Sequence, residues 1–229
     1  MTGWLELDNN PLSYKLVAAD GELYQVHSNY DIWKYTGKPY TGWQLIDNQR
    51  LLATVFATQG MVFKSDTTNR IKQYTGVPLQ PWQQILYEDW GNLAVGAAGG
   101  EVYISIRGRV YRYSGTPNRW YRIRDYAGVK ELAAYGKDVY ARDADSTIIK
   151  WAGVPNQWDL MDPGKYSVAI TVGARGLYQI HGNGHIFQFV GSPFNGWKQN
   201  DAYAASKAIV AGNHLHQLHR DGKIWRYLN

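Results

Sequence analysis

One phrase is written five times along the chain: "YTGKPYTGW" ending at Trp43, "YTGVPLQPW" at Trp82, "YSGTPNRW" at Trp120, "WAGVPNQW" at Trp158 and "FVGSPFNGW" at Trp197. Its glycines, Gly37, Gly76, Gly115, Gly153 and Gly191, are spaced by 39, 39, 38 and 38 residues. The tryptophans are spaced by 39, 38, 38 and 39. A fixed period of this size restricts the chain to a propeller, a solenoid or an array of one repeated unit.

Each period carries about four short strand signals, rich in β-branched and aromatic residues and separated by polar turns. In the first they read "YKLVAAD", "ELYQVH", "DIWKYT" and "WQLID". We label these strands A to D. Gly21, Gly60, Gly100, Gly136, Gly176 and Gly212 mark the A–B turn, where glycine permits positive φ. Polar clusters such as "HSNYD" and "DADST" mark the B–C turn, and the Gly-x-Pro phrase marks the C–D turn. No segment shows a sustained 3.6-residue periodicity, so no long helix is expected.

The final repeat, "HLHQLHRDGKIWRYLN", stops at the point where the others continue into Gly-x-Pro and Trp. The missing piece stands at the start: "TGWLELD" reads like "TGWQLID", and Trp4 precedes Trp43 by one period of 39 residues. Five repeats are intact and the sixth is split between the ends. A closed ring accounts for this, because the N-terminal strand then covers an edge that an open array would expose. The sequence predicts an all-β, six-bladed β-propeller with four antiparallel strands per blade. The N-terminal strand completes the last blade, and a single domain spans residues 1–229.

Composition narrows the function. The net charge of +5 comes with no run of five Lys/Arg, so nucleic-acid binding is not expected. There is no cysteine, which excludes disulfides and thiolate metal sites. No apolar run approaches the ~20 residues of a membrane span, so no membrane insertion is expected. "MTGWLELDNN" has neither a basic n-region nor an apolar h-region, so the expected location is the cytoplasm, or outside by a non-classical export route.

The frames "LYQVHSNYDIWKYTG", "LYQIHGNGHIFQFVG" and "LHQLHRDGKIWRY", joined to "GWQLID", resemble tectonin repeats, the unit of a lectin family found in fungi, slime moulds and animals. The six-repeat length is similar to that of the mushroom tectonins. The resemblance implies a multivalent lectin of innate defence. It implies glycan partners on microbial or nematode surfaces, O-methylated sugars among them, and no catalysis or cofactor.

Aligned repeats separate scaffold from chemistry. The strand-B slot of Tyr24, Phe63, Tyr103, Tyr140, Tyr178 and His216, and the strand-D tryptophans, read as packing between blades. The end of strand B varies: His27, Asp66, Ile106, Asp143, His181 and His219. So does the end of strand D: Asp8, Asp47, Leu86, Arg124, Asp162 and Asp201. Matched within blades, these give His27 with Asp47, His181 with Asp201 and His219 with Asp8. Strands B and D lie roughly 9.5 Å apart. That spacing either holds a sugar ring between the two groups or makes each face a separate groove. Trp33, Phe187 and Trp225 begin strand C beside these turns and offer an apolar wall. The plainer alternative is that His and Asp pin their own turns. A polar slot on strand C, including Lys34, Gln188 and Arg226, reads either as a structural tie or as a donor lining a pocket.

Glycoside hydrolysis wants two converging carboxylates, and no nucleophile or nucleotide motif appears, so an enzyme is not expected. "HLHQLH" invites a metal reading, yet His216 fills the aromatic slot and no other repeat echoes it. The competing reading is a non-catalytic protein-interaction scaffold. Such a scaffold favours one large patch, where a lectin favours several small similar sites that gain avidity together. A homo-oligomer would raise that valency further.

Overall fold

The computed structural model describes residues 3–228 except 20, 51, 53, 59–60, 69, 87–92, 99–100 and 204. β1 (Trp4–Asp8) opens the chain. Blade one is β2 (Ser13–Ala19), β3 (Glu22–His27), β4 (Ile32–Tyr35) and β5 (Trp43–Asp47). Blade two is β6 (Thr54–Thr58), β7 (Met61–Ser65), β8 (Ile71–Gln73) and β9 (Gln83–Leu86). Blade three is β10 (Leu93–Ala98), β11 (Glu101–Ile106), β12 (Arg109–Tyr113) and β13 (Trp120–Arg124). Blade four is β14 (Val129–Tyr135), β15 (Asp138–Asp143), β16 (Ile148–Trp151) and β17 (Trp158–Asp162). Blade five is β18 (Ser167–Gly173), β19 (Gly176–His181), β20 (Ile186–Phe189) and β21 (Trp197–Asp201). Blade six is β22 (Ser206–Ala211), β23 (Leu215–His219) and β24 (Ile224–Tyr227), with β1 as its fourth strand. Among the described residues there is no helix, and so none long and apolar enough to cross a membrane.

The ring closes as the split repeat predicts. β1 pairs antiparallel with β24, setting Trp4 opposite Tyr227 and Glu6 opposite Trp225. The Leu228 N–H donates to the Gly3 carbonyl at 2.9 Å. Each strand A packs beside its two neighbours around the axis, and β2 meets β22 as it meets β6. The inner strands are therefore buried on both faces, as β3 is over Leu23–His27, while the outer strand D is half-buried or exposed over its first three residues, as in β5.

The core is a set of slabs between blades. Tyr24, Val26, Ile32 and Ile46 of blade one pack with Val55, Val62 and Trp82 of blade two. Each fully buried side chain of this kind contributes roughly 1.5–3 kcal/mol. The strand-C aromatic sits in register opposite the strand-D tryptophan, as in Tyr35–Trp43 at 5.0 Å and Phe189–Trp197 at 5.4 Å between ring centroids.

A bulge near the end of each strand D frees one carbonyl, and at five seams among the described residues the next blade uses it. The residue after the repeat proline takes positive φ and donates its N–H across the seam. Tyr40 reaches Leu7 at 2.7 Å, Leu79 reaches Ile46 at 3.0 Å and Phe194 reaches Met161 at 2.9 Å. Asn118 and Asn156 make the same bond to Ile85 and Ile123. The repeated phrase is thus a clamp between blades as well as a turn. Of the A–B turn glycines, Gly136 and Gly176 take positive φ, whereas Gly212 does not. At Gly21 an added Cβ would meet only the Asn213 side chain among the described residues, at 3.4 Å, an ordinary van der Waals contact. Gly60 and Gly100 lie outside the described residues.

Candidate ligand clefts between blades

The variable residues meet at the seams. Between blades four and five the seam opens into a cavity of about 210 Å³, smaller than sites for drug-sized ligands at roughly 300–1,000 Å³. Asp162 lines it from blade four, with Gly164, Lys165 and Tyr166 of the connection that follows. Ser167, Gln179, His181, Phe187 and Trp197 line it from blade five. His181 therefore shares its cleft with Asp162 of the preceding blade, and Asp201 of its own blade belongs to the next seam. Of the two sequence alternatives for strands B and D, separate grooves is the one observed.

Asp162 accepts two neutral donors, the Gly164 N–H at 2.9 Å and the Gln179 amide at 3.2 Å. His181 stacks on Phe187 with ring centroids 4.2 Å apart, and Tyr166 lies 5.7 Å away on a tilt. Burial lowers the His181 pKa, with the nearby Asp162 charge opposing, so the imidazole is neutral at pH 7.

The same set recurs twice. At the six–one seam Gln25 donates to Asp8 at 3.0 Å, the Ser13 hydroxyl donates to Gln25, and His27 stacks on Trp33 at 5.5 Å. At the five–six seam Gln217 donates to Asp201 at 3.3 Å, Ser206 donates to Gln217, and His219 lies 5.7 Å from Trp225. Burial lowers the pKa of His27 and His219 too; Asp8 and Asp31 oppose it at His27, and chiefly Asp221 and Asp201 at His219.

His27 and His219 are 5% and 4% exposed, and their Nε2 atoms have no hydrogen-bond partner among the described residues. Nor do the indole N–H groups of Trp33 and Trp225, or the Ser167 hydroxyl that lines the cavity. An unmet buried polar group costs about 1–3 kcal/mol, which a bound ligand or water would offset. The strand-D indoles of Trp43, Trp82, Trp120, Trp158 and Trp197 are unpaired at every kind of seam and do not distinguish these three.

The other three seams seal themselves. At the one–two seam Lys64 replaces the glutamine, forms a buried ion pair with Asp47, donates to Gln49 at 3.1 Å and lies 4.7 Å from the Trp82 ring centroid. At the three–four seam Arg124 makes a two-pronged pair with Asp143 at 2.7 Å per contact, with its guanidinium 5.7 Å from Trp158. At the two–three seam Leu86, Ile104 and Ile106 join one apolar cluster. Asp47 is thus brought to Lys64 rather than to His27.

Lys34, Gln188 and Arg226 are not brought to the clefts. Lys34 pairs with Glu22 at the opposite end of β3 from His27. Gln188 donates to the Arg175 carbonyl at 2.8 Å in the A–B turn of its own blade. Arg226 sits opposite His216 in the middle of blade six. His214 and His216 are 6.3 Å apart, and no group of three or more potential metal ligands stands together among the described residues.

Gln25, Gln179 and Gln217, and Ser13, Ser167 and Ser206, are cleft residues that the sequence reading missed. A signal was present: Gln stands two residues before His in "YQVH", "YQIH" and "HQLH", and its counterparts are Lys64, Ile104 and Ala141.

Fold and seams together define the class, a six-bladed β-propeller. No protein-family model matches the sequence, and no curated protein matches it. Solved structures do. YCF48 bound to D1 peptide superposes with a TM-score of 0.63 at 13% identity over 100% of this chain and 98% of that one. Yeast RCC1 (Prp20) bound to Kap60 gives 0.63 at 9% identity over 93% and 69%. A nidogen/laminin complex gives 0.61 at 15% identity over 83% and 80%. At these identities the likeness is one of fold.

Proposed function

We propose that the protein is a multivalent lectin of the tectonin type. Its ligand clefts are the six–one, four–five and five–six seams, and it binds glycans of microbial or nematode surfaces in a defensive role. The observation that carries this reading is the threefold recurrence of one Asp, Gln, Ser, neutral His and aromatic set, with buried donors left unmet, beside three seams that fill the same space with their own side chains. Packing alone asks for no such division. Carboxylate, amide and imidazole match sugar hydroxyls, and Trp33, Phe187 and Trp225 match the C–H face of a ring or an O-methyl group. The three clefts are consecutive around the ring, so they present to one side and favour a dense glycan surface.

The test is a glycan array that includes O-methylated sugars, read with the wild-type chain and with the combined His27→Ala, His181→Ala and His219→Ala variant. Binding to a coherent glycan set that the variant loses supports the reading. A folded wild-type chain that binds nothing overturns it.

The second reading is a protein-interaction propeller. It is favoured by the neighbours of the same fold whose structures hold a D1 peptide, Kap60 or laminin. A silent array together with a defined protein partner would establish it.

A further inference from the structure

The two ion-paired seams show that this architecture can hold a cation beside the strand-D tryptophan, from strand B in Lys64 and from the end of strand D in Arg124. In each, a cation lies between a carboxylate and the face of the strand-D tryptophan of the following blade. Lys64 stands between Asp47 and Trp82, and Arg124 between Asp143 and Trp158. The six–one, four–five and five–six seams keep the carboxylate and the tryptophan of the Lys64 seam, with the amide of Gln25, Gln179 or Gln217 on the carboxylate oxygen that Lys64 takes, and His where the Arg124 seam has Asp143. Asp162 and Trp197 line one cavity. Trp43 packs into the six–one seam with Leu7 and Leu218, and Trp4 into the five–six seam with Tyr178 and Ile180. Among the described residues no Lys or Arg nitrogen lies within 4.0 Å of Asp8, Asp162 or Asp201. Each of these carboxylates accepts one backbone N–H and one glutamine amide, which leaves acceptor capacity on its oxygens. Burial disfavours the protonated form of His27, His181 and His219, so an imidazolium is disfavoured as a competitor of a ligand cation for the carboxylate of each set.

We infer that these clefts select sugars bearing a protonated amine, with the ammonium held beside the tryptophan on the acceptor capacity that the glutamine amide leaves on the carboxylate. The inference rests on the lectin reading and sharpens it. Charge-assisted hydrogen bonding and attraction to the ring face both act on an ammonium group and not on its N-acetyl counterpart. Lys165 lines the four–five cavity from an exposed position and opposes this preference there; the six–one cleft has Pro11 at the corresponding place.

The experiment is calorimetric titration of the full chain at pH 7 with D-glucosamine, N-acetyl-D-glucosamine and choline. D-glucosamine is expected to bind about tenfold more tightly than its N-acetyl derivative. That advantage is expected to shrink between roughly 50 and 500 mM salt, as screening removes the charge term. Lys165→Ala is expected to widen it. Equal or tighter binding of N-acetyl-D-glucosamine overturns the inference and leaves the lectin reading intact. Choline binding as tightly as D-glucosamine overturns the amino-sugar assignment, because the ring hydroxyls then contribute nothing. A chain that ignores all three while a neutral glycan binds on the array overturns the inference alone. Silence toward every sugar overturns both.

Discussion

Asp162 and His181 lie on different blades and line one cavity, while Asp201, on the same blade as His181, bonds to Gln217 across the next seam. Each strand D hands its terminal side chain to the blade that follows, just as its bulge hands over a carbonyl. A ligand cleft of this kind exists only where two blades dock, so cleft geometry and ring closure are set by the same contacts.

Stoichiometry separates this pairing from one within blades. Asp162→Ala should remove one of three sites. Asp162→Ala with His181→Ala should still remove one, because both belong to one cleft. Asp201→Ala with His181→Ala should remove two. Site number from calorimetry is the measurement, and a single lost site in the last variant would return the pair to one blade.

Lys64 is almost wholly buried against Asp47, so Lys64→Ala leaves an uncompensated carboxylate in the seam. Breaking a buried pair from one side costs about 3–5 kcal/mol. Ethylammonium should fill the vacated space and raise the Tm of the variant more than that of the wild-type chain, read by thermal denaturation across an amine titration.

The ring was legible because its cause is periodic. The spacing of Trp43, Trp82, Trp120, Trp158 and Trp197 and the displaced Trp4 repeat dictate six units and a shared last blade. The cleft residues were legible one at a time, since His27, His181 and His219 stand out against Asp66, Ile106 and Asp143 in aligned repeats. Their partners were not. Alignment compares residues within a repeat, whereas the seam joins the end of one repeat to the middle of the next. The offset that pairs Asp8 with Gln25 and Asp47 with Lys64 comes from three-dimensional docking, and a seam-wise alignment would have exposed the matching Gln and Ser. Lys34 and Gln188 looked alike as cleft donors because the sequence does not reveal which end of strand B they meet.

The clamp loops hold strain that the chain itself shows how to relieve. Leu79 sits at φ 61° and is 51% exposed, whereas Asn118 and Asn156 occupy the same loop position at φ 62° and 63°. A left-handed conformation costs most L-residues roughly 1–2 kcal/mol, and asparagine less. Leu79→Asn keeps the N–H that bonds Ile46 and should raise Tm by about 1–4 °C. Leu79→Pro removes that donor and cannot take this φ, so it should lower Tm; thermal denaturation of both variants checks the pair.

Acid should open the ring through its buried imidazoles. Burial lowers the pKa of His27, His181 and His219, and pushes that of buried His216 down to about 3. A histidine held below its unfolded value, near 6.5, contributes stability that is complete above that value. The contribution is lost as pH falls toward the folded value, because the unfolded chain takes up the proton first. For His216 the loss reaches on the order of 3 kcal/mol by pH 4. Urea unfolding should therefore be flat from pH 7 to 8 in this respect and weaken steadily below about pH 6. His216→Phe restores the aromatic found at Phe63 in the same slot, and it should flatten that decline while leaving the neutral-pH stability nearly unchanged. A variant that weakens with acid as steeply as the wild-type chain would assign the acid sensitivity to other groups.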